Sequence, residues 1–386
     1  MEDHSRIILF SRQLGRNGMT KVIAKEWNGL YELGINSRVI TFIDGTPAFY
    51  KDLYLNIGVQ EIGGSSNTYT KIDPTGSSLT KLTLGNIISA LRLMLRIIKV
   101  VRISSSEIII YHEIAPVILS LPFLYLSGTK FAIYLHDNSF SPITGKVGFF
   151  SELKNRLLKF LLKNSIRKAK ITFCVSPALS NLVRSLTGCE NVSFLPLGVD
   201  LLNQYKDYKR NEYILTYSFW DRWRKPEIYL EIIERVPHNI QLVLAGGWHD
   251  KTYLEEFRSL VVSRGLSKKV IIKPIMTEEL KNQLLLKAIA FVRFGFAEQG
   301  TPGGVIEALG AGCPVIVNKE VGVASIIQNE KNGFIVSDSS EASKVVSKLV
   351  DDESLLRSIS ENGYLFASQL DWKTHVKRLI ESLDIS

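Results

Sequence analysis

Short runs rich in β-branched and aromatic residues alternate with longer stretches of helical periodicity along the whole chain. In the first half these runs cover residues 7–10, 38–42, 108–111, 131–135, 171–175 and 192–195; in the second they cover 213–218, 241–245, 270–273, 290–294, 314–317 and 334–336. They are apolar on both faces, as strands sandwiched between helices must be. Between them, residues 19–33, closed by Gly34, and 153–169 have the spacing of helices. The alternation predicts parallel α/β domains. A polar stretch at 203–211, rich in Lys, Tyr and Asp, separates two such alternations. The expected organisation is therefore a Rossmann-like domain over 1–202, a second over 203–370, and a final helix over 371–386 that crosses back to the first domain. Open parallel sheets bind ligands outside the carboxyl ends of their strands, so the cleft expected between two facing sheets is where chemistry should lie.

The chain has 386 residues, enough for two domains with cores of their own. A hydrophobic content of 45% with 22% charged residues excludes a disordered chain. Cys174, Cys189 and Cys313 are too few and too scattered for a disulfide framework, and no Cys/His cluster has zinc spacing, so a reducing compartment and no metal are expected. The start lacks the flank and apolar core of a signal peptide. Residues 108–126 are interrupted by His112, Glu113, Pro116 and Pro122, too often for a membrane span.

Charge changes this picture. Residues 1–200 carry 23 Lys and Arg against 14 Asp and Glu, which accounts for the entire net charge of +9. Cations concentrate at 153–170, interleaved with Leu157, Leu158, Phe160, Leu161 and Leu162. In 87–102, Arg92, Arg96, Lys99 and Arg102 fall on one helix face. Two readings stand side by side: a solvated outer surface, or attachment to an anionic membrane from the cytoplasmic side. No nucleic-acid-binding motif accompanies the charge.

The most informative segment runs from 294 to 317. Thr301 can cap a helix and Pro302 fits its first position, predicting a helix to about Leu309 that Gly310 ends. Gly303 and Gly304 in its first turn cost on the order of 1 kcal/mol each relative to alanine. A phosphate approaching the N–H groups of the helix start would explain them. Glu298 in the preceding loop and Glu307 in the helix could hold sugar hydroxyls, one a ribose and the other a hexose. A glycine-rich helix start with two solvated glutamates is the plainer alternative.

Glu298, Glu307, the run from Ala308 to Ile316 and the run from Asn332 to Val336 resemble the acidic signature of family 4 (group 1) glycosyltransferases. Gly15 and Gly18 after the first strand, His136-Asp137 and Val175-Ser176-Pro177 continue the resemblance, as do the run from Leu195 to Asp200, Lys225 and Ala245-Gly246-Gly247. It covers nearly the whole chain in the family's order. It implies the GT-B fold, α/β with two Rossmann-like domains facing across a cleft. It also implies a retaining, metal-independent hexosyl transfer from a nucleoside-diphosphate sugar, UDP- or GDP-linked, to a hydroxyl of a glycolipid, polysaccharide or glycan. His136, Lys225 and Glu298 become the catalytic candidates. Gly15, Gly18, Arg222, Arg224, Gln299, Thr301, Gly303, Gly304, Val305 and Glu307 become the donor-binding candidates.

There are two departures. Eight residues rather than seven separate Glu298 from Glu307, which puts Gln299 at the usual offset. The family's arginine five or six residues before the lysine is replaced by Trp220 and Phe219, leaving Arg222 or Arg224 as substitutes. The alternatives carried forward are a nucleotide-sugar 2-epimerase of the same fold and a catalytically degenerate sugar-nucleotide-binding protein.

Overall fold

The structure is a computed structural model that describes residues 7–14, 18–44, 59–61, 108–137, 149–203, 210, 213–273, 277–296 and 298–385. Gly15 and the basic stretch at 87–102 lie outside the described residues.

The chain divides into two compact units. The first contains β1 (Ile7–Leu14), α1 (Gly18–Glu32), β2 (Ser37–Asp44), β3 (Val59–Glu61), β4 (Ile108–Tyr111) and α2 (Ile114–Ser127). It continues with β5 (Lys130–Leu135), α3 (Phe149–Lys168), β6 (Thr172–Cys174), α4 (Pro177–Thr187) and β7 (Val192–Phe194). Among the described residues its strands form one parallel sheet in the order β3-β2-β1-β4-β5-β6-β7. The segment β3 escaped the sequence reading because Val59-Gln60-Glu61 holds a single apolar residue and leaves no apolar run to recognise.

The second unit contains β8 (Tyr213–Tyr217), α5 (Glu227–Arg235), β9 (Gln241–Ala245), α6 (Lys251–Ser263), β10 (Val270–Lys273), α7 (Glu278–Lys287), β11 (Ala290–Arg293) and α8 (Gly303–Gly310). It ends with β12 (Val315–Asn318), β13 (Phe334–Val336), α9 (Ser339–Asp351), α10 (Glu353–Ser368) and the start of α11 (Trp372–Ser382). Its parallel sheet is ordered β10-β9-β8-β11-β12-β13. Every residue of β4, β11 and β12 is buried, as strands covered on both faces require. Ile214, Leu242, Val292 and Ile316 are wholly buried, each contributing about 1.5–3 kcal/mol.

The boundary falls at Leu195/Pro196 rather than in the polar stretch at 203–211, and the last segment joins the first unit from His375 rather than from 371. The physical reason is that residues 196–202 are fastened to the second unit. Val199 N–H donates to Leu370 O (2.9 Å), Leu202 N–H donates to Gly310 O (2.9 Å), and Val199 packs in that unit's core. Arg210, inside the expected linker, donates to the terminal carbonyls of α7 at Leu285 (2.7 Å) and Leu286 (2.8 Å), where a helix leaves its acceptors open.

In each sheet the strand order reverses once, between β1 and β4 and between β8 and β11. Such reversals splay the flanking connections apart and open a crevice at the carboxyl ends of the strands.

Candidate functional site

At the reversal in the second unit, β8 ends at Tyr217 and β11 at Arg293. Arg293 is a charged residue in an otherwise apolar run, and only 3% of it is exposed. Its Nη2 lies 2.8 Å from Glu298 Oε2, while Arg224 Nη1 reaches Glu298 Oε1 at 3.6 Å. Two guanidiniums thus share one carboxylate. Burial, with Arg293 acting in the same direction, lowers the pKa of Arg224, and Glu298 opposes the shift. Arg293 Nε is buried and has no hydrogen-bond partner. The sequence reading missed Arg293; its signal was a cation at the end of a buried strand.

Arg222 and Arg224 diverge. They lie on the short 3-10 turn Arg222–Arg224, where residues two apart point about 240° apart. Arg222 is exposed, pairs with Glu256 at 2.8 Å and lies over the Tyr253 ring, so it does not join the site. Arg224 does. The positions of the family's missing arginine are otherwise used: Trp220 is fully buried with its indole N–H on Ala245 O (2.8 Å), and Phe219 packs on His249.

Lys225 follows the turn in a left-handed conformation (φ 45°, ψ 62°), a strained choice for a residue with a side chain. It is exposed, and its Nζ sits 4.5 Å from the centre of the Phe296 ring. Glu298 and Gln299 face different surroundings, as adjacent residues of an extended segment do. Glu298 meets the two arginines, whereas Gln299 lines a recess of ≈ 330 Å³ with Ala178, Lys319, Val321 and Ile335. The Gln299 carbonyl accepts a hydrogen bond from Ser176 Oγ (2.6 Å) within the second unit, to which residues Ser176–Leu179 also belong.

Helix α8 begins at Gly303, with Pro302 at its N-cap and no side-chain cap. Thr301 is therefore not the capping residue. The helices α6, α7, α9 and α10 are capped by Asp250, Thr277, Asp338 and Asp352. Helices α5 and α8, which start beside Lys225 and the glycine pair, have no such cap. An uncapped helix start presents N–H donors and partial positive charge to whatever approaches. The two glycines differ. A Cβ on Gly304 would meet Tyr217 Cε2 at 2.7 Å, but one on Gly303 would meet nothing within 4 Å. Val305 is a core residue whose N–H already bonds Pro302 O (3.0 Å), so its side chain offers nothing to a ligand. The helix continues through Gly310, which packs against Val199, and the left-handed residue that follows is Gly312 (φ 59°).

Glu307 is held by Lys281 Nζ at 2.7 Å on one oxygen and by Tyr217 OH at 2.7 Å on the other. Neither partner stood out in the sequence. Burial, reinforced by Glu307, keeps the Tyr217 phenol protonated well above its usual range.

At the reversal in the first unit, Gly18 opens α1, exposed and with open space around it. His136, directly after β5, is half-buried, and its Nε2 lies 3.1 Å from His112 Nδ1. His112 in turn places Nε2 3.1 Å from Glu26 Oε2, and Glu26 Oε1 meets His375 Nε2 at 2.9 Å. Glu26 and His112 are fully buried. Burial alone would raise the Glu26 pKa, but the two imidazoles outweigh it and hold the carboxyl at about 2. Burial lowers His136 to about 3; His112 adds to the shift and Glu26 opposes it. His136 is thus neutral near pH 7 and acts as a hydrogen-bonding group.

A family model described as Glycosyl transferases group 1 matches residues 201–366, and one described as Glycosyltransferase Family 4 matches residues 16–202. None of the curated proteins matches this chain. Among solved structures, Anabaena HepE in complex with UDP and glucose is 17% identical, with a TM-score of 0.76 over 98% of this chain and 99% of that one. Sucrose-phosphate synthase from Thermosynechococcus elongatus is 14% identical (TM-score 0.75, 98% of each chain). A mutant of S. aureus TarM in complex with fondaparinux, alpha-GlcNAc-glycerol and UDP is 12% identical (TM-score 0.73, 98% and 100%). At these identities the likeness is one of fold. With two adjoining family models spanning almost its whole length on two parallel α/β units, the chain belongs to the group 1 glycosyltransferases of family 4 type and has the GT-B fold.

Proposed function

We propose that this glycosyltransferase moves a hexose, with retention at the anomeric carbon, from a nucleoside-diphosphate sugar to a hydroxyl of a glycolipid, polysaccharide or glycan. The observation that carries the reading is the cationic group at the end of β8 and β11. Lys225 and Arg224 stand there with the uncapped, glycine-bearing start of α8. Cleaving the bond to a diphosphate leaves negative charge on the leaving group, and fixed donors that meet this charge lower the barrier. Lys225 and Arg224 supply the positive charge and Gly303 the close approach. Glu307 holds the ribose, Glu298 holds hydroxyls of the hexose, and His136 makes a hydrogen bond to a sugar hydroxyl. HepE was solved with UDP-glucose and TarM with UDP, which makes UDP-sugars the first donors to try. Because side chains perform the charge neutralisation in this reading, chelation of divalent cations should leave turnover unchanged.

The acceptor reading adds an anionic membrane surface on the cytoplasmic side. In α3, Leu157 (56% exposed) and Phe160 (63%) stand among exposed Arg156, Lys159, Lys163, Arg167 and Lys168. Tyr125 and Leu126 at the end of α2, which packs on α3, are exposed as well. Apolar side chains beside cations suit the boundary between headgroups and acyl chains. Among the described residues no helix is long and apolar enough to cross a membrane. Sedimentation should show salt-sensitive binding to anionic vesicles; equal pelleting with neutral vesicles would reject the membrane part.

The test of the reaction is incubation with labelled UDP-, GDP-, dTDP- and ADP-sugars, with and without membrane extract, for the native chain and Glu307→Ala. Transfer that requires an acceptor, with an anomeric configuration in the product matching the donor, is the expected result. Acceptor-free isomerisation of the donor, or binding without turnover, would replace this reading by the epimerase or the binding protein.

A further inference from the structure

Lys281 is buried in α7, with 5% of it exposed, and the reaction as proposed gives it no part. An ammonium group removed from water is costly unless anionic partners compensate it, so its neighbours say what holds it there. Its Nζ lies 2.9 and 2.7 Å from the two oxygens of Glu278, one turn earlier in α7, and 2.7 Å from Glu307 Oε1 in α8. A protonated lysine has three N–H donors, and three carboxylate oxygens meet them here. Lys281 therefore has no donor to spare for a ligand. Whatever it does for one passes through Glu307.

Glu307 is held from a second side. Tyr217 OH, at the end of β8, donates to Oε2 at 2.7 Å. The Tyr217 ring takes the room that Gly304 leaves, where a Cβ would stand 2.7 Å from Cε2, and packs on Phe291 with 4.9 Å between ring centres. The last torsion of a glutamate side chain is broad and lets the carboxylate turn. Two fixed donors on different oxygens remove that freedom. A carboxylate offers about four acceptor positions, so one donor on each oxygen does not exhaust it. With 20% of the Glu307 side chain exposed, two adjacent hydroxyls can approach it, one for each oxygen.

Position decides which hydroxyls these are. Glu307 stands four residues beyond Gly303, about 6 Å along α8 and on the same face. Helical side chains lean toward the N-terminus, so this carboxylate leans toward the helix start that receives the diphosphate in the reading above. That reading gives Glu307 the ribose.

We propose that Lys281 is a positioning residue: with Tyr217 it fixes Glu307 so that both ribose hydroxyls bond at once, which sets a preference for ribonucleotides over 2′-deoxyribonucleotides. The proposal rests on the transferase reading for the presence of a nucleotide at α8, and one set of titrations keeps the two apart. UDP, GDP and ADP are each titrated calorimetrically against the 2′-deoxy counterpart. The native chain should bind the ribose form of its preferred nucleotide roughly tenfold or more tighter than the 2′-deoxy form, since a hydrogen bond to an ionised carboxylate is lost.

Lys281→Met keeps the length of the side chain and removes the charge. It should bring that ratio down to about threefold or less, the coupling expected of two groups that act through one carboxylate. Tyr217→Phe keeps the ring and should lower the ratio by a smaller factor. A lysine that only fastened α7 to α8 would lower the unfolding temperature when replaced and leave the ratio at its native value. An unchanged ratio in folded Lys281→Met, or in Tyr217→Phe where the lysine variant does not fold, therefore overturns the proposal. Equal binding of the ribose and 2′-deoxy forms by the native chain overturns it without any variant. Binding of none of the three nucleotides by the native chain overturns the nucleotide reading of the site, and the role of Lys281 with it.

Discussion

The two polar clusters of this chain are built on opposite principles. In the first unit, Glu26 is fully buried and its partners are imidazoles. In the second, Glu298 and Glu307 keep 18% and 20% of their side chains exposed and are paired with arginine and lysine. A buried carboxylate cannot exchange partners without passing through an uncompensated state, so it suits a fixed geometry. A carboxylate that reaches solvent can accept hydrogen bonds from a ligand's hydroxyls while it keeps its buried cation. In the proposed reaction the first cluster would keep a fixed geometry and the second would receive the ligand.

Breaking the second cluster should produce the largest effect. Lys225→Ala removes a preorganised cation and should lower kcat roughly 10²- to 10³-fold, with a smaller change in donor KM, in steady-state assays. Next in size is Gly304→Ala. The new methyl would lie 2.7 Å from Tyr217, the residue that holds Glu307, so a loss of about 1–3 kcal/mol is expected in thermal unfolding, together with weaker donor binding.

The first cluster should show itself in acid. His136 has a folded pKa of about 3 against the usual 6.5, so the unfolded chain takes up a proton first and stability falls as pH drops from about 6.5 toward 3. Glu26, held at about 2 against 4.5, stays ionised in the fold while the unfolded carboxylate is neutralised. Its contribution is complete above about 4.5 and is lost as pH falls toward 2. Glu26→Gln should flatten the lower part of a stability–pH curve measured by chemical unfolding and spare the upper part. The smallest effect belongs to Arg222→Ala, which breaks a solvent-screened, exposed pair with Glu256 and should leave both thermal unfolding and turnover essentially unchanged.

The same contrast explains what could be read from the chain. All twelve strand runs named from hydrophobic pattern are strands, because burial on both faces leaves a continuous apolar signature. The second cluster was partly visible, since Glu298, Glu307, the glycine pair and Lys225 lie in recognisable local runs. Arg293 and Lys281 were missed, being side chains of ordinary elements whose partners are set by tertiary packing. Thr301 and Gly310 look like helix signals, but the helix starts two residues after one and runs through the other. The first cluster was almost invisible. His136 drew attention at a strand end, but Glu26, His112 and His375 meet it only through the strand order β1-β4-β5 and the return of α11, and no local spacing encodes either.

The central claim is that the start of α8 receives the diphosphate of a nucleotide sugar. Gly303 isolates it, because an added methyl there touches nothing in the protein. Calorimetric titration of UDP into native chain and Gly303→Ala, paired with thermal unfolding of both, is the direct measurement. The account predicts equal or higher stability, by up to about 1 kcal/mol, and UDP affinity weakened roughly tenfold or more. Unchanged UDP affinity in a stably folded Gly303→Ala chain would contradict it.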